Sequence, residues 1–464
     1  MRNDWATSGL DLHLERTGGQ LRAGLENTLR DAVRTARLSP GLLLPSSRAL
    51  AADLGVARNT VADAYGQLVA EGWLTAERGS GTRVADRAPA VQAATATPVK
   101  PSGQPRYDLR PGSPDVSAFP RQAWLAAARR ALSAAPAEAF GYTDPRGRPE
   151  LRQALAGYLA RARGVQVTPD RIIVCSGFTQ GLGLLCQVLR QRGGTTLAVE
   201  AVSLAAHREL AAASGLDIIT VPVDNHGAVV SELGDTGAVL LTPAHQFPAG
   251  AALAPGRRSH VVDWAAASGG LVIEDDYDGE FRYDRQPVGA LQALAPGHVV
   301  YGGTASKSLA PGLRLGWLVV PARLADEVIA VKALVDRNTS SIDQLTLAEF
   351  INSGGYDRQV RRSRLAYRQR RDRLVAALRQ HAPAVRVSGI TAGLHLLLDL
   401  PAAQAEADII ARAAARGLAL EGLSPYNATG DPLPPALVVG YGTPPDHAFT
   451  GAVARLTAAL TATA

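Results

Sequence analysis

Lysine is nearly missing from this chain. Of its 48 basic residues only Lys100, Lys307 and Lys332 are lysines, and the other 45 are arginines. Codon bias in a GC-rich genome, which the abundance of Ala and Gly supports, accounts for the count. It still has a chemical consequence. Lysine is the basic side chain that gives up its proton near neutral pH and attacks a carbonyl carbon, so amine chemistry here has three candidates. Cysteine is also scarce. Cys175 and Cys186 are too few for a disulfide framework, and a cytoplasmic protein is the expectation. No uninterrupted apolar run of about 18 residues occurs, so no membrane span is expected. Residues 1–20, MRNDWATSGLDLHLERTGGQ, hold no apolar signal core.

The composition that remains suits a multidomain globular protein. Across 464 residues, 46% are hydrophobic and 19% charged, which permits large cores and excludes global disorder. The net charge of +6 permits an anionic partner without choosing one. Residues 1–84 hold ten Arg against nine Asp and Glu, so nucleic-acid binding there must come from a motif rather than from bulk charge. Residues 85–106, ADRAPAVQAATATPVKPSGQPR, show no apolar period and read as a linker. After them strand-like and helix-like stretches alternate. Strands are predicted at Arg171–Ser176, Thr196–Glu200, Ile218–Val221, Ala238–Leu241, Leu271–Asp275, Val299–Gly302 and Trp317–Val320. Helical patterns such as Gln180–Arg190 and Arg257–Ser268 separate several of them. This alternation predicts an α/β domain over 107–464 with a mainly parallel sheet. Helices at Gln369–His381, Ala403–Arg416 and Asp446–Leu460, with strands at Leu394–Leu400 and Ala436–Gly440, predict a smaller lobe over roughly 370–464.

Ahead of the linker, Leu25, Leu29, Val33 and Leu38 fit an amphipathic helix. Pro45 and Ser46 suit the start of a short helix carrying Leu50 and Leu54, which Gly55 breaks. A second helix begins near Arg58, with Val61, Ala64, Tyr65 and Leu68 on one face. Two helices joined by a tight Gly-containing turn make a helix-turn-helix, whose second helix offers its N-terminal residues to the major groove. Here those are Arg58, Asn59 and Thr60: Arg forks onto guanine and Asn pairs with adenine. Leu74–Glu77 and Thr82–Val84 predict a hairpin with Arg78-Gly79-Ser80-Gly81 at its tip. A structural three-helix domain is the alternative on pattern alone.

Three strings after the linker carry chemistry. Ser306–Trp317, SKSLAPGLRLGW, puts Lys307 just past a strand end, where a lysine suits imine formation with an aldehyde cofactor, and Thr304, Ser306 and Arg314 suit a phosphate dianion. Leu271–Phe281, LVIEDDYDGEF, puts acids at the carboxyl end of a buried strand, where open α/β sheets bind ligands. Asp275 there suits a protonated pyridine nitrogen and Tyr277 a ring hydroxylate. Ser176–Leu185, SGFTQGLGLL, is a Gly and hydroxyl turn opening a helix, a phosphate cradle. A surface lysine, and a metal site or solvated acidic turn, are the alternatives for the first two.

The string LPSSRALAADLGV, ARNTVADAYGQL, EGW, RGSGT resembles the GntR-type winged helix over about 60 residues. The resemblance implies a winged helix-turn-helix over 1–84 with Arg48, Arg58, Asn59, Thr60 and Gly79 at DNA contacts. Residues 107–464 resemble a fold type I aminotransferase domain, through GYTDPRGRPELRQALAGYLARARGV, TPAHQFPAGAALAPGRR, IEDDYDGEFRYD, GTASKSLAPGLRLGW and GGYDRQVRRSRLAYRQRRDRL. Together they resemble the MocR subgroup of GntR regulators. That implies pyridoxal 5'-phosphate as cofactor, with Lys307 the internal aldimine lysine, Asp275 at the pyridine nitrogen and Tyr277 at the ring oxygen. It also implies Thr179, Gln180, Thr304, Ser306 and Arg314 around the phosphate. Tyr142 would reach the neighbouring subunit's phosphate in a domain-swapped, head-to-tail homodimer.

Three departures stand against the family pattern. The aromatic that stacks on the cofactor ring in an E-x-P-x-Y pattern is missing, since the stretch reads Val202, Ser203, Leu204. Val438 stands where aminotransferases grip the substrate carboxylate with arginine, and Gln359 replaces the His of an R-H-x-R-R string. These departures favour a regulator of double-stranded operator DNA with pyridoxal phosphate itself as effector, in vitamin B6 metabolism. Sensing of an amino acid or amine, or an aminotransferase activity, are the alternatives. Arg58→Ala is expected to cost about 1–3 kcal/mol of specific operator binding, read by titrating operator DNA with parent and variant chains.

Overall fold

The computed structural model describes residues 21–77, 80–86, 105–283 and 288–461 in two compact units. Gly79, Lys100, most of the expected linker and residues 1–20 lie outside the described residues. In the first unit, helix Leu21–Arg34 buries Leu25, Leu29, Ala32 and Val33. The helix stops four residues before Leu38. Ala36 takes φ +56° and the Leu38 N–H donates to the Ala32 carbonyl at 2.9 Å, which folds Leu38 back into the same core. The sequence pattern placed Leu38 on the helix because the chain reverses without moving it off the buried face.

Helix Ser47–Leu54 follows, with Ser46 as N-cap: its hydroxyl accepts from the Ala49 N–H at 3.2 Å. Gly55 ends the helix at φ +65°, a left-handed turn that glycine makes at no steric cost. Helix Arg58–Ala70 then packs Val61, Ala64, Tyr65 and Leu68 against Leu50 and Ala51. Strands Leu74–Glu77 and Gly81–Val84 pair antiparallel as the wing.

In the second unit the seven strands run in the order Ile172–Cys175, Gly316–Val319, Val299–Thr304, Leu271–Asp276, Ala238–Leu241, Thr196–Glu200, Asp217–Val221. All neighbours are parallel except Gly316–Val319, antiparallel on both sides. The central strands are buried along their whole length, as their continuous apolar runs require. Helix Phe178–Gln191 covers one face through Leu182, Leu185 and Val188.

The smaller lobe is a four-stranded antiparallel sheet, Arg386–Ser388, His395–Asp399, Ala436–Gly440 and Glu421–Gly422. Its Leu396, Leu398, Leu437 and Val439 face packs on helices Glu406–Ala414 and Asp446–Thr461. One helix differs from the pattern reading. The stretch expected to begin at Gln369 is the second half of Gly355–His381, 27 residues long. Its first half hides its period because inward positions there are polar: Gln359 and Ser363 are both buried, and Gln359 donates to Ser363 at 3.2 Å. No helix among the described residues is long and apolar enough to cross a membrane.

Ser46→Ala removes the acceptor that caps the second helix. Denaturant unfolding of the winged-helix unit within the full chain is expected to show a loss of about 1 kcal/mol.

Candidate functional site

The parallel strands end on one side of the sheet, and the cavity lies at those carboxyl ends. Its volume is about 260 Å³. Thr179, Asp275, Tyr277, Thr304, Ser306, Lys307 and Arg314 all line it, so most of the side chains singled out from sequence meet in one place.

Strand alternation explains the acidic wall. Glu274 and Asp276 point one way and Asp275 the other. Glu274 accepts from the Leu291 and Gln292 N–H groups at 2.7 and 2.9 Å. Asp276 is bound by Arg163 at 2.6 Å and by the Tyr301 hydroxyl at 2.8 Å. Asp275 is buried, and its Oδ1 has no hydrogen-bond partner among the described residues. Burial pushes the Asp275 carboxyl well above the usual range, against the pull of Lys307. Burial in turn lowers the Lys307 ammonium, while Asp275 and Asp278 raise it. The Lys307 Nζ donates to the Gly112 carbonyl.

A second set of donors lines the same cavity. Helix Phe178–Gln191 starts at Gly177, whose φ of +91° admits no ordinary side chain, and no side chain caps it. The Gly177 Cα lies against the Arg314 guanidinium, where a Cβ would stand 3.2 Å from its Nη1. Arg314 donates to the Ser176 carbonyl, and the Thr304 and Ser306 hydroxyls bond each other at 2.8 Å. An uncapped helix start, a guanidinium and two hydroxyls are donors of the kind that a dianion takes.

Two residues named from the sequence stand elsewhere. Gln180 is turned from the cavity: its Oε1 accepts from the Ser176 N–H at 2.6 Å and its Nε2 donates to Asp336 at 2.7 Å. Asp336 is held in turn by the buried Lys332 at 2.6 Å. Both polar atoms of Gln180 are thus committed to shaping the loop that carries Ser176. Tyr142 is 84% exposed, with Arg337 over its ring, and it does not line the cavity of its own chain. In the first unit Arg48, Arg58 and Asn59 are exposed and Thr60 half-buried; no side chain caps the helix that begins at Arg58.

Other wall residues had no signal of their own in the sequence. Glu200 accepts from the Thr242 hydroxyl at 2.6 Å and the Gln246 amide at 3.1 Å. Beside the wall, the His245 Nδ1 hydrogen-bonds Asp278 at 2.8 Å, and the Tyr277 hydroxyl donates to the His245 carbonyl at 3.0 Å. His395 is buried and lines the cavity. The strings TPAHQFPAG and IEDDYDGEF contain His245 and Asp278, but their pairing is a tertiary contact. Leu204 and His207 complete the wall where a stacking aromatic is missing. Val438 is fully buried beside Leu397, Val202 and Tyr426.

The wall and the sheet around it define an aminotransferase-type domain, preceded in the chain by a GntR-type DNA-binding domain. The chain matches the family described as Aminotransferase class I and II over residues 109–421, and that described as Bacterial regulatory proteins, gntR family over residues 21–84. PdxR of Corynebacterium glutamicum, an HTH-type pyridoxine biosynthesis transcriptional regulator, is 33% identical, covering 94% of this chain and 95% of its own. MocR of Rhizobium meliloti, whose name links it to rhizopine catabolism, is 32% identical over 80% of each chain. The fold also matches LysN, the α-aminoadipate aminotransferase of Thermus thermophilus, with a TM-score of 0.68 at 24% identity, covering 76% of this chain and 91% of that one. The chain belongs to the MocR-type transcription regulators.

Burial raises the Glu200 carboxyl from 4.5 to about 7. Its native form therefore keeps a proton that the unfolded chain releases, so stability falls as pH rises between 4.5 and about 7. Glu200→Gln is expected to remove that decline. Unfolding free energies measured across the window should show the variant gaining on the parent with rising pH, then levelling off.

Proposed function

We propose that this regulator responds to pyridoxal 5'-phosphate, with the cofactor seated in the cavity and the occupied state altering DNA binding. The observation that carries this reading is the buried, unpartnered Oδ1 of Asp275 in the same cavity as Lys307 and that second set of donors. Leaving such an acceptor without a donor is costly, and a pyridinium N–H supplies the donor. When bound, the cofactor supplies an aldehyde that an amine can capture.

The chain's residues divide the work. Lys307, whose ammonium burial holds below its ordinary value, offers its Nζ as the amine. Asp275 holds the ring nitrogen's proton. Tyr277, on turning its hydroxyl from the His245 carbonyl, donates to the ring oxygen, and Thr179, Thr304, Ser306 and Arg314 hold the phosphate. Tyr142 extends to the phosphate of a second copy in a domain-swapped, head-to-tail homodimer. The exposure of Phe140, Tyr142, Leu334 and Val335 supports a covered surface of that kind. Arg48, Arg58, Asn59, Thr60 and Gly79 contact a double-stranded operator, in the cytoplasm. Val438 leaves no arginine at that position for a substrate carboxylate, which favours the cofactor itself as the signal in vitamin B6 metabolism. The signal shifts DNA binding only by its differential affinity for two states of the dimer.

The test is binding of the full chain to its own upstream DNA with and without pyridoxal phosphate. The cofactor is expected to change the affinity, and Lys307→Ala to abolish both that response and the visible absorbance of the lysine-bound cofactor. Rapid conversion of bound aldehyde to amine by amino acids, with turnover on a keto acid, would instead make the chain an aminotransferase.

A further inference from the structure

One polar group of the cavity has no task in this scheme. His395 is 4% exposed, lines the cavity, and leaves its Nε2 without a hydrogen-bond partner among the described residues. It opens the strand His395–Asp399, and with Leu394 it is the smaller lobe's contribution to the cavity wall. Its neighbours do not satisfy it. The Phe247 ring stands at 5.0 Å and the His245 ring at 4.8 Å, and the His245 Nδ1 is already taken by Asp278. The Pro248 carbonyl favours a proton on the His395 ring. With Nε2 unpartnered, that contact falls to Nδ1, which leaves the Nε2 lone pair as an acceptor. Burial, and then His245, hold the ring well below the usual histidine range, so it stays neutral.

The charge of the surrounding wall points the same way. Val438, on the paired strand, is apolar and fully buried. Arg208, a cation in the wall, is spent on the chain itself. It donates to the Ser203 carbonyl, to the Ser203 hydroxyl at 3.2 Å, and to the Tyr426 and Asn427 carbonyls at 3.2 Å each. A ligand carboxylate directed at His395 would meet a lone pair rather than a proton. A ligand amine or hydroxyl would meet its complement.

We propose that His395 is a specificity residue for a second small molecule, taken up beside the cofactor, and that this molecule is an amine bearing a further hydroxyl or amino group in place of a carboxylate. The proposal rests on the reading that pyridoxal phosphate occupies the cavity. It goes further in assigning the ligand's chemical class to one side chain.

The test is calorimetric titration of the full chain, saturated with pyridoxal phosphate, with matched probes: 3-aminopropanol and 1,3-diaminopropane against β-alanine. The first two are expected to bind about tenfold tighter than β-alanine, the worth of one buried hydrogen bond. In His395→Phe, of similar ring size, the preference should fall to within about twofold. In His395→Gln, which keeps an acceptor oxygen, part of it should return. β-Alanine binding as well as the other probes, no probe binding the loaded chain, or a loaded His395→Phe keeping the full preference would each overturn the proposal. If the parent chain develops no visible absorbance with pyridoxal phosphate, the cofactor reading fails and this one with it. Absorbance with an unchanged preference in the variants sinks this proposal alone.

Discussion

The cavity of the second unit holds one buried carboxylate oxygen with no hydrogen-bond partner among the described residues. Three acids in a row, Glu274, Asp275 and Asp276, end a buried strand, and two of them are fully satisfied by the protein. Asp275 is not. A buried acceptor in that state is expensive. It persists because the strands on either side fix the backbone around it. Lys307 and Arg314 line the same cavity, with Arg314 against the helix start at Gly177.

The antiparallel strand Gly316–Val319 makes this arrangement possible. Inserted between two strands that would otherwise be parallel neighbours, it returns the chain from the Lys307 loop and sets Arg314 against the Gly177 turn. Strand Ile172–Cys175 and its helix then deliver Thr179 to the same place from more than a hundred residues away. The Lys332–Asp336–Gln180 chain braces that loop from behind, so a second scarce lysine serves the cavity without entering it.

Much of the architecture was legible in local pattern. Ser46 and Gly55 bracket a helix by capping chemistry that needs no tertiary context. Most strands of the large sheet showed as short apolar runs because they are buried on both faces, whereas the edge strand Asp217–Val221 is partly exposed. The exceptions have different causes: Leu38 is folded back by a local reversal at Ala36, Gln359 bonds Ser363 one turn along its own helix, and Gln180 is held by Asp336, 156 residues away. Pattern reading assigns polar side chains to solvent or ligand. Here Arg370, Gln359 and Gln180 are instead taken up by partners within the protein.

The sequence by itself determined the two domain types, the singular position of Lys307 and the strings that carry Asp275, Tyr277 and Arg314. Those follow from spacing along the chain and from what each residue type can do chemically. Only the tertiary structure decided which acid of the run is left free, that Gln180 faces away, and that His245, Asp278 and His395 gather beside the cavity. Those outcomes depend on strand alternation and on contacts across more than a hundred residues. A buried side chain becomes available to a ligand only when no other part of the fold reaches it.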